Sequence, residues 1–244
     1  MIKPMTELSS SLVGHRGYPK HYPENSFLGI KAALDRGAKA VEFDIQLTQD
    51  RVPVLSHDDN LERISDRTQS LFQLKLDELL SISTGEPARF GEHFSATRIF
   101  TLSDIVTLLA NYPETKAFAE IKCESITHFG HELVVDEILA IIQPVATQAN
   151  IISYDNNALS YAKTISDQSI GWILEKFDAA TLETAKQLAP DFLVCNMEKV
   201  NDALWKGSWQ WMLYETSDVE TAKNWLAKGA DYIETNTIGE LLKA

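Results

Sequence analysis

Apolar residues follow two rhythms along this chain. Short runs rich in Val, Ile and Phe recur as SLVG (11–14), AVEFDI (40–45), VPVLSH (52–57), AFAEIK (117–122), NIISY (150–154), SIGWIL (169–174), DFLVCN (191–196), WQWMLY (209–214) and DYIETN (231–236). Between several of them lie stretches with helical apolar spacing: SFLGIKAALDRG, TLSDIVTLLANYP, ALSYAKTIS, AATLETAKQLAP and DVETAKNWLAKG. Strand, helix, strand, repeated in this way, predicts an α/β domain with a parallel sheet. The length of 244 residues is that of a (β/α)8 TIM barrel. Nine strand candidates compete for eight places, so one of them is irregular or lies outside the barrel. A doubly wound open sheet is the alternative fold, without a GxGxxG after an early strand to support it. No Pro-, Gly- or Ser-rich linker divides the chain, which reads as a single domain over 1–244.

The first helix is sharply delimited. Asn25 or Ser26 can cap it, Phe27, Leu28, Ile30 and Leu34 form its apolar face, and Gly37 ends it. His15 and Arg16 therefore fall at the C-terminal end of strand one, which is the catalytic rim of such a barrel.

Ionisable residues interrupt other apolar runs as well. In Val41-Glu42-Phe43-Asp44-Ile45 the two acids share a strand face, where they repel each other and are costly to desolvate. A hard divalent cation relieves both problems, whereas a solvated edge strand would avoid them. The third run ends at His57. The fourth places Glu120 and Lys122 on one face, a pattern that taken alone describes a structural ion pair. If these strands are parallel neighbours, their ends converge. Glu42, Asp44 and Glu120 then match Mg2+ or Ca2+, His15 and His57 form an acid–base pair, and Arg16 and Lys122 can hold anionic oxygens. Such a set suits a phosphoryl centre.

Composition narrows the partners. Hydrophobic residues make up 44% of the chain and the net charge is -13, which argues against nucleic acid as a partner and more weakly against anionic membranes. No run has the length of a membrane span, and MIKPMTELSS has no leader-like apolar stretch, so neither membrane insertion nor secretion is expected. Two cysteines, Cys123 and Cys195, form no disulfide framework, and a cytoplasmic location is the simplest expectation.

The motifs "GHRG" (14–17), "PENS" (23–26), "VEFDIQLTQDRVPVLSHDDNLER" (41–63), "AEIK" (119–122) and "SYD" (153–155) resemble those of the glycerophosphodiester phosphodiesterases, a family of phospholipase C-like (β/α)8 barrels. "WMLYETSD" (211–218) and "GADYIETN" (229–236) extend the resemblance more weakly. It implies catalytic histidines at His15 and His57, metal carboxylates at Glu42, Asp44 and Glu120, phosphate contacts from Arg16 and Lys122, and Trp211 as the tryptophan best placed to touch substrate. The implied reaction is metal-dependent hydrolysis of a glycerophosphodiester to sn-glycerol 3-phosphate and an alcohol. Met212, Leu213 and Tyr214 stand where the family has Thr-Val-Asn, and Asn236 replaces an Asp. These departures bear on the substrate pocket and leave the metal and acid–base sets intact. Two other readings share the barrel. One is a phospholipase D-like enzyme on lysolipids or sphingolipids, which would need an apolar surface such as SLFQLKLDELL (70–80). The other is a silent phospho-ligand-binding barrel, which would need no acid–base pair. His21, His93, His128, His131 and Cys123 are read as structural or surface residues.

Overall fold

The computed structural model describes residues 8–244; most of the N-terminal stretch searched for a leader lies outside them. All nine predicted runs are strands: β1 (Leu12–Gly14), β2 (Ala40–Leu47), β3 (Pro53–Leu55), β4 (Lys116–Ile121), β5 (Ala149–Ser153), β6 (Ile170–Leu174), β7 (Phe192–Asn196), β8 (Gln210–Tyr214) and β9 (Tyr232–Thr235). Eight are parallel and close into a barrel in the order β1, β2, β4 to β9, with β9 pairing back onto β1. The ninth is β3, which pairs antiparallel with the far end of β2, Ile45 opposite Leu55. This corrects the picture of four successive parallel strands: β2 and β4 are direct neighbours, and His57 reaches the rim on a returning hairpin.

The helices α1 (Phe27–Asp35), α2 (Leu102–Leu109), α3 (His131–Ile142), α4 (Asn156–Ile165), α5 (Ala179–Leu188) and α6 (Val219–Ala227) surround the ring. Ser26 is the N-cap of α1, its hydroxyl accepting from the Gly29 amide at 3.0 Å. Barrel strands are buried on both faces, which explains why their sequences run apolar almost without alternation. Inward residues such as Val13, Phe118, Ile152, Phe192, Val194 and Met212 fill the lumen. Outward residues join the helices in a larger core. A third cluster, with Val54, Leu61, Leu71, Leu79 and Ile99, packs beneath the long segment between β2 and α2. There SLFQLKLDELL forms a 3-10 turn (Leu71–Gln73) and one short helix (Leu76–Leu79), anchored by buried Leu71 and Leu79.

Candidate active site

The lumen is apolar in its lower part and carries acids towards the C-terminal ends of the strands. Glu42 and Asp44 point inward from β2, and Asp44 lies in register with Glu120 of β4. One carboxylate oxygen from each of Glu42, Asp44 and Glu120 lies within 4.8 Å of the others. Glu42 and Asp44 are buried. The Oε1 atom of Glu42 is enclosed and has no hydrogen-bond partner. An orphaned, desolvated carboxylate oxygen beside two more carboxylates fits a cation ligand, because leaving it bare is costly.

Bases hold this cluster together. Lys122 Nζ lies 2.8 Å from Glu120 and 3.3 Å from Asp44. Arg16 Nε is 3.1 Å from Asp44, and its amide donates to Glu42 Oε2 at 2.9 Å. Asn25 clasps Asp44 twice, its Nδ2 donating to Oδ2 (2.8 Å) and its Oδ1 accepting from the Asp44 amide (3.0 Å). These contacts decide how the acids titrate. Burial opposes ionisation of Asp44, but Arg16 and Lys122 outweigh it and hold the carboxyl well below the usual range. Burial and then the Asp44 charge push Glu42 upward, and push Glu120 up to about 7 despite Lys122.

Each histidine is steered by a carboxylate on Nδ1. His15 Nδ1 lies 3.0 Å from Glu215 Oε2 and 2.9 Å from Asn236 Oδ1. Two acceptors there place the proton on Nδ1 and leave Nε2, 3.9 Å from Glu42, facing the cluster. Burial opposes charge on His15, but Glu234, Glu215 and Glu42 prevail and push it up to about 10. His57 Nδ1 lies 2.6 Å from Asp58, whose other oxygen accepts from Arg63 Nε at 2.8 Å. Arg63 forks onto Glu24, which also receives Arg16. A continuous chain of hydrogen bonds and ion pairs thus links His57 to the acids on β2.

The fold therefore gathers His15, Arg16, Glu42, His57, Glu120 and Lys122 around one cavity of about 270 Å³, with Asp44 beneath it. Trp211 does not join them. It is 3% exposed, its indole donates to the Trp205 carbonyl at 2.9 Å, and it packs against Phe177 on the outer side of β8. Neighbouring strand residues alternate faces, and it is Tyr214 that reaches the cavity, hydrogen-bonded to Tyr154 at 2.8 Å. Sequence reasoning missed Asn25, Asp58, Glu215 and Glu234. For Glu234 the signal was present: an acid interrupting the apolar run DYIETN, as Glu42 interrupts AVEFDI.

A model of the glycerophosphoryl diester phosphodiesterase family matches residues 15–224. The chain belongs to that family. A glycerophosphodiester phosphodiesterase of Caldanaerobacter subterraneus is 32% identical over 104 residues, covering 43% of this chain and 42% of that protein. Human glycerophosphodiester phosphodiesterase 1 is 32% identical over 118 residues, covering 48% of this chain and 35% of that protein. The chain thus aligns with less than half the length of these curated relatives. An Oleispira antarctica phosphodiesterase, solved with the product sn-glycerol-3-phosphate, superposes with a TM-score of 0.84 at 21% identity, covering 96% of this chain and 95% of that one. Thermotoga maritima glycerophosphodiester phosphodiesterase gives 0.75 at 19% identity, covering 95% of this chain and 96% of that one. These superpositions establish the barrel as the fold of this family member.

Proposed function

We propose that this chain hydrolyses glycerophosphodiesters to sn-glycerol 3-phosphate and an alcohol. The observation that carries the reading is a pair of histidines, each with Nδ1 tied to a carboxylate, beside three acids of which one has an orphaned buried oxygen. Glu42, Asp44 and Glu120 would hold a divalent cation, and their all-oxygen character favours Mg2+ or Ca2+. Such an ion, when bound, supplies charge to a phosphoryl oxygen and lowers the pKa of a nearby hydroxyl or water.

The protein's own groups do the rest. Arg16 and Lys122 offset charge on the non-bridging oxygens of the diester. One histidine takes the proton of the nucleophile and the other protonates the departing alkoxide, each presenting Nε2 while its carboxylate fixes the ring. Asn25, by clasping Asp44, keeps the ligand carboxylate from rotating. A reducing cytoplasm is the proposed setting, in keeping with two free thiols. Among the described residues no helix is long and apolar enough to cross a membrane.

The test is turnover of a glycerophosphodiester with and without chelator, followed by release of sn-glycerol 3-phosphate. Chelation should abolish turnover, and Mg2+ or Ca2+ should restore it. Full activity after exhaustive chelation, with no metal by elemental analysis, would remove the cation from the reaction.

A further inference from the structure

Glu234 has no part in the reaction as derived above, and its environment is unusual. It points inward from β9, where Val13 of β1 is its register partner. It is 4% exposed, yet neither a hydrogen bond nor an ion pair to another described residue engages its carboxylate. One of its oxygens lies within 4.8 Å of ligand atoms from both His15 and Glu42. The Oε1 atom of Glu42 is itself without a partner. Four carboxylates, Glu42, Glu120, Glu215 and Glu234, line this cavity against Arg16, Lys122 and the His15 imidazole. His15 and Arg16 offset the Glu234 charge from nearby, but no donor among the described residues bonds its oxygens, which leaves them open to a cation in this acid-rich cavity.

We infer that His15, Glu42 and Glu234 form a second cation site, distinct in chemistry from the Glu42–Asp44–Glu120 set and sharing Glu42 with it. One imidazole nitrogen and two carboxylates suit a borderline transition metal such as Zn2+, whereas the all-oxygen set suits a hard ion. The ring of His15 is already arranged for this. Its Nδ1 is held by Glu215 and Asn236, so Nε2 is the nitrogen that can give up its proton to a metal, as in carboxylate–histidine–zinc arrangements. Ligand atoms at about 2.0–2.2 Å from zinc require the three side chains to close in modestly from their present spacing.

Occupancy has a consequence, which rests on the reading of His15 as a proton carrier. Coordination uses the Nε2 lone pair, and any proton on that nitrogen leaves to solvent, so His15 can neither accept nor deliver a proton while the ion is bound. Zinc at this site is therefore a brake on an enzyme loaded with its hard metal.

The experiment adds Zn2+ to the Mg2+-saturated protein and follows imidazole nitrogens by NMR, with bound zinc measured by equilibrium dialysis. In the parent, His15 Nε2 should shift on coordination while Nδ1 keeps its proton. Glu234→Gln, which is isosteric, should abolish that shift and bind one zinc fewer per chain. Exchange of Mg2+ for Zn2+ at the other site would leave His15 unmoved, so the NMR signal separates the two. An unmoved His15 resonance in the parent, at zinc levels that saturate dialysis, overturns the site whatever the variant does. Turnover of the parent should fall about 10²-fold or more as the His15 signal shifts. Zinc on His15 with turnover undiminished would overturn the brake and, with it, the proton role of His15, while the cation site itself would stand.

Discussion

Lys122 lies between two acids, and its ammonium has two possible duties. It neutralises Glu120 and Asp44, at 2.8 and 3.3 Å, and it lines the cavity where a diester would sit. The two duties make different predictions for Lys122→Met. A purely structural cation, once lost, leaves a more negative cluster that still binds a divalent ion, so turnover at saturating metal matches the parent. A group that also meets charge developing on phosphoryl oxygens leaves a defect no amount of metal repairs. We expect the second outcome: kcat lower by about 10²–10³ at saturating metal and substrate, the usual cost of one transition-state donor. The histidines are tested in the same way. His15→Ala and His57→Ala should each lower kcat by about 10²–10⁴, and the double variant should lose less than the product, because both groups serve one displacement.

The local chain path places these side chains, and glycine governs it at the end of β1. Arg16 adopts φ +49, Gly17 follows at φ +86, and the Asn25 amide donates back to the Arg16 carbonyl at 3.1 Å. A Cβ on Gly17 would lie 2.6 Å from the Ile30 backbone nitrogen in α1, and one on Gly14 would lie 2.5 Å from the Gly17 carbonyl oxygen. The two glycines of GHRG thus let the turn fold flat against the helix while His15 and Arg16 face the lumen. Gly17→Ala should cost about 1–3 kcal/mol, read as a lower urea midpoint, and should lower kcat by displacing both side chains. An unchanged midpoint would mean that α1 yields to the added methyl. The β2–β3 hairpin plays the same part for His57. β2 runs past the rim to Leu47, turns through Arg51 at φ +62, and returns so that the Ser56 amide donates to the Asp44 carbonyl at 3.1 Å.

At the scale of the whole molecule, the barrel encloses acids that it cannot neutralise by itself, and its stability should register this. Burial raises Glu120 from its ordinary value of 4.5 to about 7, and Glu42 is raised in the same direction. A carboxyl raised in the folded state binds more protons there than in the unfolded chain. Its contribution is fully present below the unfolded pKa and is lost as pH rises through the folded one. The metal-free protein should therefore lose stability between about pH 4.5 and 7 from Glu120, and Glu42 adds to the loss as pH rises above the ordinary carboxylate range. Asp58 and Glu24 act in the opposite sense: burial opposes their charge, His57 and Arg63 bind it more strongly, and their contribution is lost only as pH falls below the ordinary carboxylate range. A bound divalent cation requires the ionised acids, so binding releases protons near neutrality and tightens with pH. The rise in Tm on adding Mg2+ or Ca2+ should be larger at pH 8 than at pH 5, and an equal rise at both would exclude protonated ligands in the metal-free state.

Much of this was legible in one dimension. The two apolar rhythms located every strand of the barrel, and the GHRG, VEFD, SHD and AEIK segments named the residues from β1, β2, the hairpin and β4 that meet at its rim. Those segments could be read because an ionisable residue inside an apolar run is conspicuous, and because i and i+2 share a face on any strand. Three matters were left to the tertiary structure. Strand alternation cannot tell inward from outward when both faces are buried, so Trp211 and Tyr214 could not be assigned until the ring closed, and it turned Trp211 away. Composition cannot distinguish a parallel strand from an antiparallel return, so only the pairing of β3 with β2 showed which of nine candidates stood outside the ring. Closure of β9 onto β1 also brought Glu215, Glu234 and Asn236 beside His15 across some two hundred residues of chain. A sequence specifies such partners only through the geometry of the finished barrel, because nothing local in either segment requires the other.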